Sequence, residues 1–150
     1  MTMTEVDAFL EAVVPTLIAA ETTLHDGDAT QRIAMWSRHD PLTLFGAAVT
    51  TQGWESVLAT FDWLGSTFSN CTSYTYEVVA AGASGDLAYL VGIERTTASL
   101  ERRPPASYSL RSTTIFRRED GAWRVVHRHG DPFDDSAGPL LAQLDLPSLP

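Results

Sequence analysis

Five ionisable side chains in the last part of the chain have the types and spacing that acid–base chemistry requires. They are Glu94, Arg111, His127, His129 and Asp131. The last three alternate along one segment, and alternate side chains of a strand share a face. A histidine beside an acid can move a proton near neutral pH, and a guanidinium can stabilise a developing oxyanion. We therefore expect His129 or His127 to move the proton. Asp131 or Glu94 would orient the imidazole, and Arg111 would hold the oxygen.

A hairpin is needed to bring the arginine to the histidines. The segment 107–131 is typical of two strands, and Glu119–Gly121 suits a three-residue loop that ends on a left-handed glycine. This loop predicts a register in which Arg111 faces His129 and Thr113 faces His127. The side chain of Thr113 is thereby predicted to be a ligand-binding neighbour of the histidines.

A second hairpin brings in the acid. A turn centred on Arg102 and Arg103 predicts that Glu94 lies opposite Arg111 and that Thr96 joins the next row. Neighbouring strands are about 5 Å apart, so the five ionisable groups would converge on one face of the sheet. We expect this face to line an internal pocket and Thr96 to contact its ligand.

The opposite face of these strands is predicted to be apolar. So apolar a face should not remain in water, which predicts a homodimer through the outer face of the sheet. Its expected side chains are Tyr89, Val91, Ile93, Tyr108 and Phe116.

Other interpretations of the ionisable groups stay open. Glu94 and Arg111 can form a purely structural ion pair, since a lone buried charge is costly. His127 and His129 also have the spacing of a metal pair, with Asp131 or Glu94 as a third ligand. Pocket-lining histidines are commoner, so we assign no metal and no cofactor.

Helical patterns precede the strands. Thr4 and Asp7 form a weak capping box before an apolar stripe, and a helix after Gly53 carries Phe61 on its apolar stripe. Helices followed by a meander of strands predict an α+β fold, a cone-shaped roll of N-terminal helices packed on a strongly curved, mainly antiparallel sheet with an internal pocket. Trp36 and Asp40, in the connection between helix and strand, are expected with Phe61 to contact the ligand.

Composition excludes several function classes. The chain has 150 residues and a net charge of −9, which argues against nucleic acid and anionic membranes as partners. All ten basic residues are Arg, so Schiff-base lysines and Walker-type phosphate sites are excluded. The lone Cys71 and the lack of a membrane-length apolar run lead us to expect a cytoplasmic protein. We expect one domain over 1–133 and an acidic, proline-containing tail over 134–150.

Three segments together resemble a known family. Trp36-Ser-x-x-Asp40, the Gly53-Trp54 start of a helix, and the ending FRREDGAWRVVHRHGD resemble the SnoaL-like branch of the nuclear-transport-factor-two-like superfamily. This resemblance implies the cone, the pocket and commonly a dimer. Members include ketosteroid isomerases, polyketide cyclases and dehydratases, but Leu42–Phe45 holds no isomerase-type base.

The function that we expect combines these observations. A small, mostly apolar organic molecule would bind in the pocket and undergo cofactor-independent proton transfer of the isomerase, cyclase or dehydratase type. The alternative is a non-catalytic ligand-binding or oligomerisation module.

Overall fold

The computed structural model describes residues 2–46 and 48–133. The predicted tail, 134–150, lies outside the described residues. Within the part of the chain that is described, no helix is long and apolar enough to cross a membrane.

Two helices precede the first strand, and a third helix lies between the second and third strands. Thr4 caps the first helix in a capping box with Asp7, as the sequence predicts. The last helix begins directly after Gly53, whose positive φ of 85° a side chain would resist. The helices are α1 (Glu5–Leu24), α2 (Thr30–Met35) and α3 (Trp54–Thr67).

Six strands form one sheet in the order β2-β1-β6-β5-β4-β3. All neighbours are antiparallel except β1 and β6, which run parallel. Helices packed on a curved, mainly antiparallel sheet confirm the predicted α+β fold. The strands are β1 (Thr43–Phe45), β2 (Thr50–Gln52), β3 (Phe68–Ser84), β4 (Leu87–Leu100), β5 (Ala106–Glu119) and β6 (Ala122–Phe133).

The predicted register of the last hairpin is wrong. The loop contains two residues, Asp120 and Gly121, both with positive φ (52° and 79°), as in the two-residue turns that match the strand twist. A register shift between Ile115 and Phe116 adds a further displacement on β6. Thr113 therefore pairs with His129 rather than with His127.

The predicted pairing of Glu94 with Arg111 is also wrong, by one residue. Glu94 pairs with Leu110, and Arg111 pairs with Ile93 and, across the other edge of β5, with Asp131. Because side chains alternate, a one-residue slip moves a side chain to the other face of the sheet. Glu94 consequently lies inside the cone, whereas Arg111 lies outside.

The hydrophobic core lies between the helices and the inner face of the sheet. Phe9 of α1 contacts Phe116 of β5 edge to face, with ring centroids 5.1 Å apart, and both rings are fully buried. Phe116 and Tyr108 were expected on the outer face but lie on the inner face, and the one-residue slip between β4 and β5 accounts for both mistakes. The core fills one end of the cone and leaves space at the other.

Candidate functional site

A cavity of about 440 Å³ lies between the helices and the inner face of the sheet. Aliphatic and aromatic side chains form most of its wall, and charged groups are collected on one side. The lining residues are Glu21, Leu24, His25, Arg32, Leu44, Gly46, Ala48, Val49, Thr60, Trp63, Leu64, Thr67, Phe68, Tyr74, Glu94, Thr96, Ala98, Leu100, Ala106, Ser107, Tyr108, Leu110, Arg128 and Gly130.

Two buried ion pairs form the polar side of the cavity. Arg32 Nε donates to Glu21 Oε1 at 2.7 Å, and Arg128 Nη1 donates to Glu94 Oε1 at 3.3 Å, with a second, shorter contact in each pair. All four residues are buried. Tyr74 completes the second pair by donating its hydroxyl hydrogen to Glu94. Two carboxylates and two guanidiniums thus neutralise one another inside the cone.

The ion pairs keep Glu21 and Arg128 charged in spite of their burial. Burial alone would raise the pKa of Glu21, but Arg32 and Arg128 outweigh it and hold that pKa below its usual value. Burial alone would lower the pKa of Arg128, but Glu94 and Glu21 raise it above the usual value. Burial raises the pKa of Tyr74, and Glu94 raises it further, so the phenol stays protonated.

A histidine and a tyrosine meet beside the ion pairs. Nδ1 of His25 lies 2.7 Å from the backbone oxygen of Glu21, and Nε2 contacts the hydroxyl of Tyr108. Burial lowers the pKa of His25, so the imidazole is neutral at pH 7. Since a carbonyl oxygen only accepts, Nδ1 carries the hydrogen and Nε2 accepts from Tyr108. The basic nitrogen therefore belongs to a side chain of the cavity wall.

The predicted site residues divide between the two faces of the sheet. Glu94 and Thr96 are buried and line the cavity, on the side that the sequence predicts. Arg111 and Asp131 form an ion pair on the outer face, where their side chains are 58% and 45% exposed. Their predicted position in the pocket is wrong, because the register differs by one residue.

The two late histidines also lie on the outer face. Nδ1 of His127 contacts Thr43 Oγ1 at 2.7 Å, and Phe45 packs edge to face against both His127 and His129. Burial and the neighbouring His129 lower the pKa of His127. Neither histidine lines the cavity, so their predicted position is wrong as well.

The remaining predicted ligand contacts lie outside the cavity wall. Trp36 and Phe61 are buried in the core against each other, with ring centroids 5.3 Å apart. Asp40 is exposed in the turn before β1, and half-buried Thr113 lies on the outer face of β5. A core position for Phe61 follows directly from its helical stripe, which the ligand prediction overlooked.

Sequence reasoning missed most of the polar wall. His25 was not among the predicted site residues, yet it is 4% exposed and lines the cavity. Glu21 follows the buried Leu17 by four residues and precedes His25 by four, so the helical period does place all three on one face. Arg128 was overlooked because its two neighbours are histidines.

The chain also lacks a metal cluster in the region described: no three His, Cys, Asp or Glu side chains there could hold an ion.

Comparisons with known proteins agree with the fold. The SnoaL-like domain family matches residues 13–133. No curated protein matches the sequence. Similar solved structures include a candidate calcium/calmodulin-dependent protein kinase type II association domain from Thiobacillus denitrificans, with 17% identity, a TM-score of 0.67 and coverage of 82% of this chain and 96% of that one.

Two further structures show the same fold. A candidate dehydratase of the NTF2-like family from Streptomyces avermitilis has 16% identity and a TM-score of 0.65, over 85% of this chain and 98% of that one. An NTF2-like protein from Cytophaga hutchinsonii has 14% identity and a TM-score of 0.66, over 87% and 100%. With the family match over most of its length, this chain belongs to the SnoaL-like domain family.

Proposed function

We propose that this protein binds a small, uncharged, mostly apolar organic molecule in the cavity of the cone. The observation that carries the proposal is the cavity itself, with an apolar wall and one polar side whose charges are already balanced. Its volume of about 440 Å³ lies in the lower part of the range of roughly 300–1,000 Å³ that is usual for small-molecule sites.

The balance of charge argues for an uncharged ligand. Arg32 is engaged by Glu21, and Arg128 is engaged by Glu94. An anion or a cation entering the cavity would lose its hydration without gaining a free counterion, which is costly in an apolar site. A hydroxyl or carbonyl group, by contrast, can share the hydrogen bonds of the polar side.

Catalysis belongs to the same proposal. A neutral histidine in a mostly apolar cavity suits cofactor-independent proton transfer of the isomerase, cyclase or dehydratase type. A non-catalytic binding module is the alternative, and it shares the ligand class. A cytoplasmic location is also part of the proposal, supported by the single Cys71.

Calorimetric titration with matched ligands tests the binding function. Cyclohexanone, cyclohexanecarboxylate and cyclohexylamine share a ring and differ in charge. We expect the ketone to bind and to raise the melting temperature, because a ligand of the native state stabilises it. The charged analogues should do neither. Equal binding of the carboxylate would contradict the proposal.

A blocked cavity provides the control. Ala98 is buried in the cavity wall, so Ala98→Phe would place a ring in the space of the ligand. Ala12 is exposed on α1, and Ala12→Phe adds the same ring outside the cavity. We expect the first variant to lose ketone binding and the second to keep it. Retained binding in a folded Ala98→Phe variant would place the ligand elsewhere.

The outer face of the sheet favours a second function, assembly. We propose that two copies of this chain associate through that face. Tyr89 and Ile115 pair with each other on β4 and β5 and are 47% and 36% exposed. Val91 and Ile93 continue the same apolar strip. An apolar strip on a sheet is a usual basis for a stable interface.

A further inference from the structure

We propose that His25 and Tyr108 are the catalytic pair of the cavity, and that its substrate is an uncharged, enolisable carbonyl compound. The inference rests on the proposed binding function and goes beyond it by naming the base, the oxyanion donor and the substrate class. Both side chains line the cavity, on two different elements, α1 and β5.

The first step of the argument is the state of the imidazole. The backbone oxygen of Glu21 fixes the hydrogen on Nδ1, so the lone pair is on Nε2. A tilted contact with the ring of Phe68, with centroids 4.6 Å apart, helps to hold the imidazole. Nε2 contacts the hydroxyl of Tyr108, which also interacts with Thr96. A hydroxyl hydrogen can rotate from one acceptor to another.

The second step is what a carbonyl ligand would do between these groups. Its oxygen can accept the hydroxyl hydrogen of Tyr108, which uncovers Nε2 of His25 beside the carbon next to the carbonyl. Burial and Glu21 raise the pKa of Tyr108, so the phenol donates a hydrogen bond and keeps its proton. A neutral donor next to a neutral base is the pairing that enolisation needs.

The reaction step balances without an oxidant or a cofactor. The α-carbon loses a proton to Nε2, so a C–H bond breaks and an N–H bond forms. The freed electron pair forms a carbon–carbon double bond, and the carbonyl π pair moves to the oxygen that Tyr108 stabilises. Return of the proton to the same or to a conjugated carbon restores neutral His25 and completes an exchange or an isomerisation.

The charges around the pair suit this sequence. Glu21 lies 4.0 Å from Nδ1 and, with Glu94, stabilises the imidazolium that forms, whereas Arg32 opposes it. Burial outweighs the acids and holds the pKa of His25 below its usual value. The base is therefore unprotonated at neutral pH and ready for the first step.

Deuterium exchange into simple ketones tests the pair directly. Wild-type protein in D₂O is mixed with cyclohexanone or acetophenone, and loss of the α-hydrogen signal is followed by NMR, with saturation transfer in the same samples reporting binding. We expect protein-dependent exchange that falls by about 100-fold or more in His25→Gln, the usual scale of general-base catalysis. Tyr108→Phe should also slow exchange while retaining saturation transfer.

Histidines of the outer face supply the matched control. His129→Gln removes an imidazole from the other side of the sheet and should exchange as the wild type does. Ketone that binds without exchange, or exchange that survives in folded His25→Gln and Tyr108→Phe, overturns the catalytic pair and leaves the binding function standing. Absence of saturation transfer with both ketones overturns the two proposals together.

Discussion

Arg128 is the interior residue on which the buried charges depend. Its guanidinium pairs with Glu94 and also interacts with Glu21. Arg128→Met would leave both carboxylates short of positive charge in a buried site. Removing one partner of a buried pair usually costs about 3–5 kcal/mol, and we expect a loss of that size in the free energy of unfolding, measured with urea at neutral pH.

The outer ion pair gives the matched comparison. Arg111→Met breaks an exposed contact with Asp131, and exposed pairs contribute about 0–1 kcal/mol. The double variant Glu94→Gln/Arg128→Met should regain much of the loss, because no unpaired charge remains at that pair. An Arg128→Met variant as stable as Arg111→Met would show that the buried pair does not stabilise the fold.

His25 should make stability depend on pH in a narrow range. Its pKa in the folded protein is below the usual value of 6.5, so the unfolded chain binds more protons between that lowered pKa and pH 6.5. The free energy of unfolding should therefore fall as the pH drops through this window. Urea unfolding at several pH values should show a shallower fall for His25→Gln.

His127 and Glu21 also contribute to the pH dependence of stability, each in the direction set by its own pKa shift. The pKa of His127 is also lowered, so His127→Gln, on the outer face, shows how much of the fall is unrelated to the cavity. Glu21 has a lowered pKa, so its contribution is present above 4.5 and is lost only at lower pH. A pH dependence in His25→Gln identical to that of the wild type would mean that the folded imidazole is not buried as described.

At the scale of elements, the helices were predictable and the strand registers were not. A period of 3.6 places Phe9, Val13 and Leu17 on one buried face of α1, and the structure agrees. Register instead depends on loop length and bulges. The two-residue loop at Asp120-Gly121 and the shift at Phe116 together displace the pairing along β6 by two residues, so each side chain keeps its face relative to β5. The faces were reversed by the one-residue slip between β4 and β5, where Glu94 pairs with Leu110 rather than with Arg111.

The one-residue slip between β4 and β5 explains why half of the candidate site was misplaced. Alternation does group His127, His129 and Asp131 correctly on one face. Which face points inward depends on a single residue of register between β4 and β5, and the group was assigned to the wrong face of the sheet. Glu94 was assigned correctly, because β4 alternates between buried and less buried residues along most of its length.

A glycine of β4 leaves the space that a tyrosine of β3 fills. A Cβ added at Gly92 would lie 2.3 Å from the ring of Tyr76, whose hydroxyl is buried. Gly92→Ala should therefore lower the free energy of unfolding by roughly 1–3 kcal/mol, as overpacked cores do. Thermal and urea unfolding measure the change.

The control is a glycine at which an added Cβ would have enough space. A Cβ added at Gly130, on β6, would have its nearest neighbour at an ordinary 3.6 Å, so Gly130→Ala should change stability much less. In a Tyr76→Leu background the cost of Gly92→Ala should shrink, since the ring is gone. Equal costs at Gly92 and Gly130 would show that the tyrosine ring moves aside freely.

For the molecule as a whole, the sheet separates the two proposed functions. Its inner face carries the cavity and the paired charges, and its outer face carries the apolar strip and the histidines. A change on one face can therefore leave the other intact. This separation allows the assembly proposal to be tested without disturbing ligand binding.

Ile115 is the position for that test, because it lies on the outer face at the centre of the sheet, between Tyr89 and His127. A stable interface usually removes roughly 800 Å² per partner from water, and a lone carboxylate buried there would be costly. We expect wild-type protein to sediment as a dimer and Ile115→Glu as a monomer, with ketone binding retained. Ala12→Glu, on the exposed side of α1, should remain dimeric. A wild-type protein that sediments as a monomer at every concentration, or an Ile115→Glu variant that stays dimeric, would rule out association through this face.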